Sequence, residues 1–134
     1  MATLLAHIRV IEGAEVRFEA LARQLFHSTK TLEPGVRLYE YWRSSEPRQY
    51  YAIVAFDDFN TFIAHQVSDH HEQASVVLGS VVESIRLEWV DPVGGASELP
   101  PTQMRPPQPD ADELTRAYHD RFAAHIADWW EQLR

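Results

Sequence analysis

Leu4 to Ile11 alternates strictly: Leu4, Ala6, Ile8 and Val10 fall on one side, Leu5, His7, Arg9 and Ile11 on the other. Period two over eight residues predicts a β-strand, and the first set is the better core face. Glu12-Gly13 ends it. From Ala14 to Lys30 the period changes. Val16, Phe18, Leu21, Ala22, Leu25, Phe26 and Thr29 recur at helical spacing, with Glu15, Arg17, Glu19, Arg23 and Gln24 between them, which predicts an amphipathic helix. Glu33-Pro34-Gly35 is a stop and turn. Val36 to Arg43 predicts a second strand, with Val36, Leu38 and Trp42 opposite Tyr39 and Tyr41. A loop around Pro47 leads to a third strand, Tyr50 to Phe56, rich in aromatic and β-branched residues.

Asp57-Asp58 caps a helix that starts near Phe59 and presents Phe59, Phe62, Ile63 and Gln66-Val67 on one side. Ser68-Asp69 reads as a second cap, and Asp69 with Glu72 imitates a capping box. The helix it opens carries Ala74, Val77, Leu78 and Val81, and Ile85 to Val90 supplies a last strand. The order β-α-β-β-α-β is the split βαβ arrangement, an α+β ferredoxin-like domain over residues 1–91. Residues 92–112 form a linker, since Pro92 to Pro109 holds six of the eight prolines. Residues 113–134 predict one amphipathic helix with the stripe Leu114, Tyr118, Phe122, His125, Ile126, Trp129 and Leu133. It has no partner in its own region, so it packs on the domain as a lid or on another subunit as a clamp.

A chain of 134 residues with 45% apolar residues is long enough for one modest core. Its formal charge of −8 repels polyphosphate and argues against nucleic acid as a partner. No apolar run approaches the roughly 20 residues that cross a bilayer, so a membrane is not expected either. There are no cysteines, which removes disulfides, thiolate nucleophiles and cysteine metal sites. With no basic-then-apolar leader at the start, the expectation is a cytoplasmic protein. Lys30 is the only lysine beside eleven arginines, leaving one candidate for Schiff-base chemistry, at a helix end.

Three of the seven histidines, His65, His70 and His71, lie between Phe62 and Glu72. Imidazole changes protonation near neutral pH, so His65 is either a general acid/base or a partly buried ring bonded to a carbonyl at a helix end. His70 sits near a helix start, where the positive dipole end favours a neutral ring. It is an assisting base or a solvent-facing first-turn residue. Metal binding on one helix needs histidines three or four apart. Here the spacings are five and one, and His119 and His125 are six apart, so no metal is expected unless the break at Ser68 redirects the chain.

Glu33-Pro34-Gly35 before a Tyr-rich strand, the apolar third strand, and Ala64-His65 followed by Ser68-x-His70 resemble the antibiotic biosynthesis monooxygenase (ABM) domain, from roughly Ala2 to Pro92. The resemblance implies a dimeric α+β barrel in which open sheet faces pair. It also implies oxidation of a small aromatic, phenolic or quinol substrate by molecular oxygen with no cofactor. Alternatives within it are an isomerase or lyase on a carbonyl metabolite, or a non-catalytic dimeric module that binds a small metabolite. It makes His65 and His70 the catalytic pair and His71 a packing ring. Tyr39, Phe56, Phe62 and Trp89 become the walls of an aromatic pocket. The haem-degrading relatives use an asparagine, a tryptophan and a histidine where this chain has Ile8, His65 and Ser75, which argues against that reaction. A four-stranded sheet covered on one face independently predicts a homodimer through the other face and the C-terminal helix.

Overall fold

Strand β1 (Ala2–Val10) is the spine of the fold. It pairs antiparallel with β3 (Gln49–Phe56) on one side and β4 (Val82–Trp89) on the other, and β2 (Val36–Arg43) completes the sheet in the order β2-β3-β1-β4. The computed structural model describes all 134 residues. Leu4, Ala6, Ile8 and Val10 are buried as the alternation predicts, against helices α1 (Glu15–Leu32), α2 (Phe59–Gln66) and α3 (Asp69–Val81), which cover one face. The sheet's other face mixes Leu5, Leu38, Trp42, Tyr51 and Ile53 with His7, Arg9, Arg86 and Glu88. Across it His7 bonds Glu88 at 2.9 Å and meets the Tyr51 ring edge-on.

Two side-chain assignments differ from the pattern. On α1 the buried face is Phe18, Leu21, Ala22, Leu25 and Thr29, spaced at i, i+3, i+4, i+7 and i+11. Val16 is two residues, or about 200°, from Phe18, and it is 80% exposed. On β2 the register slips between Val36 and Leu38. That bulge turns Val36 onto the helix face with Tyr39, both buried, where simple alternation would oppose them.

The caps fix the helix starts. Asp58 accepts from the Thr61 amide at 2.8 Å and its hydroxyl at 3.0 Å. Ser68, and not Asp69, caps α3 by accepting from the His71 amide, so Asp69 becomes the first helical residue. Glu72 takes the Tyr118 hydroxyl instead of closing a capping box. Strand β4 follows α3 without a loop and begins three residues before the predicted Ile85.

The C-terminal region departs most from expectation. The predicted continuous helix over 113–134 is two pieces, α4 (Glu113–Arg121) and the single turn α5 (Asp128–Glu131). A straight helix of that length would span about 33 Å and carry its end away from the domain. Instead the Phe122 ring packs against Phe62 with centroids 5.8 Å apart. Arg134 returns to Asp91 at 2.8 and 3.0 Å and to the Thr102 carbonyl at 2.7 Å. These anchors at both ends outweigh helix propensity between them. The proline-rich segment is likewise tied down. Thr102 is fully buried, its amide on Asp91 and its hydroxyl on the Val90 carbonyl, and Gln103 donates to the Met1 carbonyl. Within this chain α4 lies on α2.

Replacing Phe122 with alanine should cost roughly 1–2 kcal/mol, the value of a half-buried aromatic. Calorimetric unfolding measures it, and an unchanged Tm would mean that the tail does not seal the domain. Asp58→Ala should cost about 1 kcal/mol through loss of the α2 cap, read from the denaturation midpoint.

Candidate functional site

Four separate elements bring their ends to one point beneath the sheet. Glu33 is the C-cap residue of α1, its amide bonded to the Thr29 carbonyl. Tyr39 and Tyr41 come from the helix face of β2, His65 from the last turn of α2, and His70 and His71 from the first turn of α3. Gly35 permits the approach. A Cβ there would stand 2.5 Å from the Thr61 methyl on α2, so a larger residue would push the Glu33 turn away from His65. Ser68 makes the bend between α2 and α3. Its hydroxyl donates to the His65 carbonyl at 2.8 Å and accepts from the His71 amide in the first turn of the next helix.

The Glu33 carboxylate is the hub. One oxygen lies 2.8 Å from His65 Nδ1 and 2.7 Å from His70 Nε2. An ionised carboxylate only accepts, so His65 Nδ1 carries its proton towards it, whereas His70 Nε2 stands beside the same oxygen and has its hydrogen-bond partners in the Thr29 and Ser68 hydroxyls at 3.4 and 3.3 Å. That assigns the neutral His65 ring the Nδ1–H tautomer and leaves the Nε2 lone pair facing the Tyr39 hydroxyl at 3.4 Å. The Tyr39 hydroxyl in turn lies 3.3 Å from that of Tyr41. Burial pushes both phenol pKa values up, so both remain protonated donors. The His65 ring is 3% exposed, walled by Tyr39, Phe56 and His71 with centroids 4.7 to 5.2 Å away. Glu33 and His70 reach the surface, with side chains 14% and 17% exposed. A carboxylate that fixes one imidazole nitrogen and frees the other is the orienting arrangement of a general base.

His71 differs from its neighbours. Its Nδ1 bonds the Gln66 carbonyl at 3.1 Å, and burial, helped by the nearby His65, pulls its pKa down to about 4. It is a neutral packing ring at ordinary pH.

The turn at Ser68 does redirect the chain, and the spacing argument against a shared site for His65 and His70 therefore fails. Donor atoms of Glu33, His65 and His70 lie within 4.8 Å of one another. Two imidazoles and a carboxylate are a donor set that divalent transition metals accept. The distances, however, are those of shared protons. Ligands about 2.1 Å from a tetrahedral ion stand about 3.4 Å apart, and here the nitrogen–oxygen separations are 2.7 and 2.8 Å.

The four aromatic wall residues divide into two groups. Tyr39 and Phe56 touch His65. Phe62 and Trp89 belong to another cluster with Phe59, covered by Phe122 and His119 from the tail. Phe56 and Phe62 are fully buried and offer no free face to a ligand. The open space lies elsewhere. A cavity of about 560 Å³ opens between α1 and β2, lined by Phe18, Ala22, Phe26, Tyr41, Trp42 and Tyr50 with Glu19, Arg23, Glu40 and Arg43 at its polar edge.

Sequence reading missed Glu33 and Tyr41. Glu33 was visible only as part of a turn. Its one signal is a carboxylate placed where the split βαβ order sets the end of α1 beside the end of α2. Tyr41 carries no signal beyond its place beside Tyr39 on the second strand.

No curated protein matches the chain. Solved structures do share its fold. A candidate antibiotic biosynthesis monooxygenase from Caulobacter crescentus superposes with a TM-score of 0.65 at 22% identity, covering 69% of this chain and 89% of its own. Rv0793 from Mycobacterium tuberculosis gives 0.65 at 18% identity, covering 72% and 98%. SO0527 from Shewanella oneidensis gives 0.62 at 25%, covering 66% and 87%. The sequence profile of the antibiotic biosynthesis monooxygenases matches residues 1–76, more than half the chain and the part that holds Glu33, Tyr39, His65 and His70. The chain therefore belongs to the antibiotic biosynthesis monooxygenase family.

Proposed function

We propose that this protein is a cofactor-independent monooxygenase acting on a small phenolic or quinol substrate, with His65 as the general base. The observation that carries this reading is the Glu33–His65 pair, which fixes the Nδ1 proton and leaves Nε2 as an acceptor facing the Tyr39 hydroxyl. Membership in a family named for monooxygenases supports the reaction class.

The chemistry is self-contained. Removal of a phenolic proton leaves an electron-rich anion that reduces oxygen itself. A phenol with a hydrogen at the position to be oxidised combines with O₂ to give the quinone and one water, so one oxygen atom enters the product. The chain's part is to accept the proton, hold the anion and keep water from the intermediate. His70, on the same carboxylate oxygen, assists by spreading the charge once His65 becomes imidazolium. Pairing of the open sheet faces into a homodimer belongs to this proposal, supported by Leu5, Leu38, Tyr51 and Ile53 on that face. The near-complete burial of His65 favours a second reading, a module that binds the small molecule without turning it over.

Oxygen uptake with candidate hydroquinones separates the two. The oxygenase reading predicts turnover that falls about 10²–10⁴-fold in His65→Ala and drops substantially in Glu33→Gln. Binding without oxygen consumption supports the module, and undiminished turnover in His65→Ala removes the base from His65.

His71 should affect stability rather than chemistry. Its folded pKa of about 4 lies below the usual 6.5. Between those values the unfolded chain holds a proton that the folded chain does not, so stability is full above pH 6.5 and falls as pH drops towards 4. The loss approaches about 3 kcal/mol. Urea titrations should show that slope flattened in His71→Phe, and an identical slope would mean that this ring is not desolvated.

A further inference from the structure

His65 does not line the cavity between α1 and β2, yet a chain of hydroxyls joins the two. Tyr41 forms part of the cavity wall. Its oxygen is 3.3 Å from the Tyr39 oxygen, which is 3.4 Å from His65 Nε2. These separations are somewhat long for resting O–H hydrogen bonds, as such contacts often are before substrate closes a site. We propose that the cavity between α1 and β2 is the binding site for a small neutral phenol and that Tyr41 and Tyr39 carry its proton to His65. The inference rests on His65 being the base proposed above.

The cavity fits that occupant. A volume of about 560 Å³ lies within the usual range for small-molecule sites. Phe18, Phe26, Tyr41 and Trp42 supply aromatic surface for a flat ring. The polar edge carries two arginines and two glutamates. Arg43 holds Glu19 through two bonds of 2.6 and 2.7 Å, Arg23 adds a contact at 3.6 Å, and Tyr50 donates to the same carboxylate at 3.0 Å. Glu40 accepts from the Trp42 indole at 3.1 Å. The formal charges cancel and every acid has a donor, so the edge carries no net charge to attract an ionic ligand. A neutral molecule is favoured.

The tautomer assigned to His65 sets the direction of transfer. The substrate O–H bond breaks and its proton goes to Tyr41 Oη. The Tyr41 proton moves to Tyr39 Oη, and the Tyr39 proton moves to His65 Nε2. Both tyrosines end as they began, protonated. The products are a phenolate in the cavity and an imidazolium held by the Glu33 carboxylate. Neither tyrosine has to exist as a free anion, which suits two buried phenols. The same arrangement explains how a base that is almost wholly buried can act on a substrate it does not touch.

4-Nitrophenol tests this without requiring turnover, because its anion absorbs visible light and its neutral form does not. Binding is measured by equilibrium dialysis about one pH unit below the ionisation of the free probe, and the anion band is read on the bound fraction. The wild-type protein should bind the probe and raise its anion fraction several-fold over that in free solution. Tyr39→Phe should bind within about twofold but return the anion fraction to the free value. Phe26→Asp and Trp42→Ala, both at exposed positions, should weaken binding by about tenfold or more. An anion band that persists in Tyr39→Phe but disappears in His65→Ala overturns the relay while leaving the base in place. A band unchanged in all variants overturns the base as well. Binding untouched by both cavity variants, or no binding by the wild type, overturns the site.

Discussion

A single carboxylate oxygen, Glu33 Oε1, joins the end of α1 to the end of α2 by a hydrogen bond of 2.8 Å and to the start of α3 by a contact of 2.7 Å with His70. Buried or half-buried charge is costly unless it is fully partnered. Here the His65 N–H and the adjacent His70 ring supply that partnership, and the arrangement of the helices beneath the sheet is tied to it. The short α2, the capped bend at Ser68 and the side-chain-free approach at Gly35 are the local features that let three helix ends meet. The chemistry assigned to His65 is a consequence of the same bond, since fixing Nδ1 decides which nitrogen can accept a proton.

How far the sequence revealed this depends on the range of each interaction. Strand β1 was legible because alternation along a central strand is set by burial alone, and Leu4, Ala6, Ile8 and Val10 follow it. Helix α1 was legible in extent but not at its edges, since Val16 is apolar without being buried. The β2 bulge was not legible, because a slip of register leaves no mark on composition. His65 could be singled out by residue type and by resemblance, whereas Glu33 stood only in a turn motif with no role attached. It acquires a role only when α1 and α2 are folded side by side. The spacing rule that separated His65 from His70 holds for one continuous helix and fails across the turn at Ser68.

The tail shows the same limit more strongly. Leu114 to Leu133 has the periodicity of one helix, and the chain interrupts it because Phe122 and Arg134 find partners on the domain in Phe62 and Asp91. The family match ends at residue 76, so this strap lies outside it. It shields Phe59, Phe62 and Trp89 on the far side of α2 from the cavity bounded by α1 and β2. Cover and cavity are separate features of the fold, and the proposed proton relay to His65 runs along β2 through two tyrosines.

The central claim is that Glu33 fixes His65 with its proton on Nδ1 and an open lone pair on Nε2. Long-range proton–nitrogen NMR of the imidazole side chains reads this directly. The account predicts that His65 in the neutral form gives the Nδ1–H pattern, and that Glu33→Gln weakens that preference. A dominant Nε2–H tautomer in the wild-type protein would contradict it, because the nitrogen facing Tyr39 would then have no capacity to accept a proton.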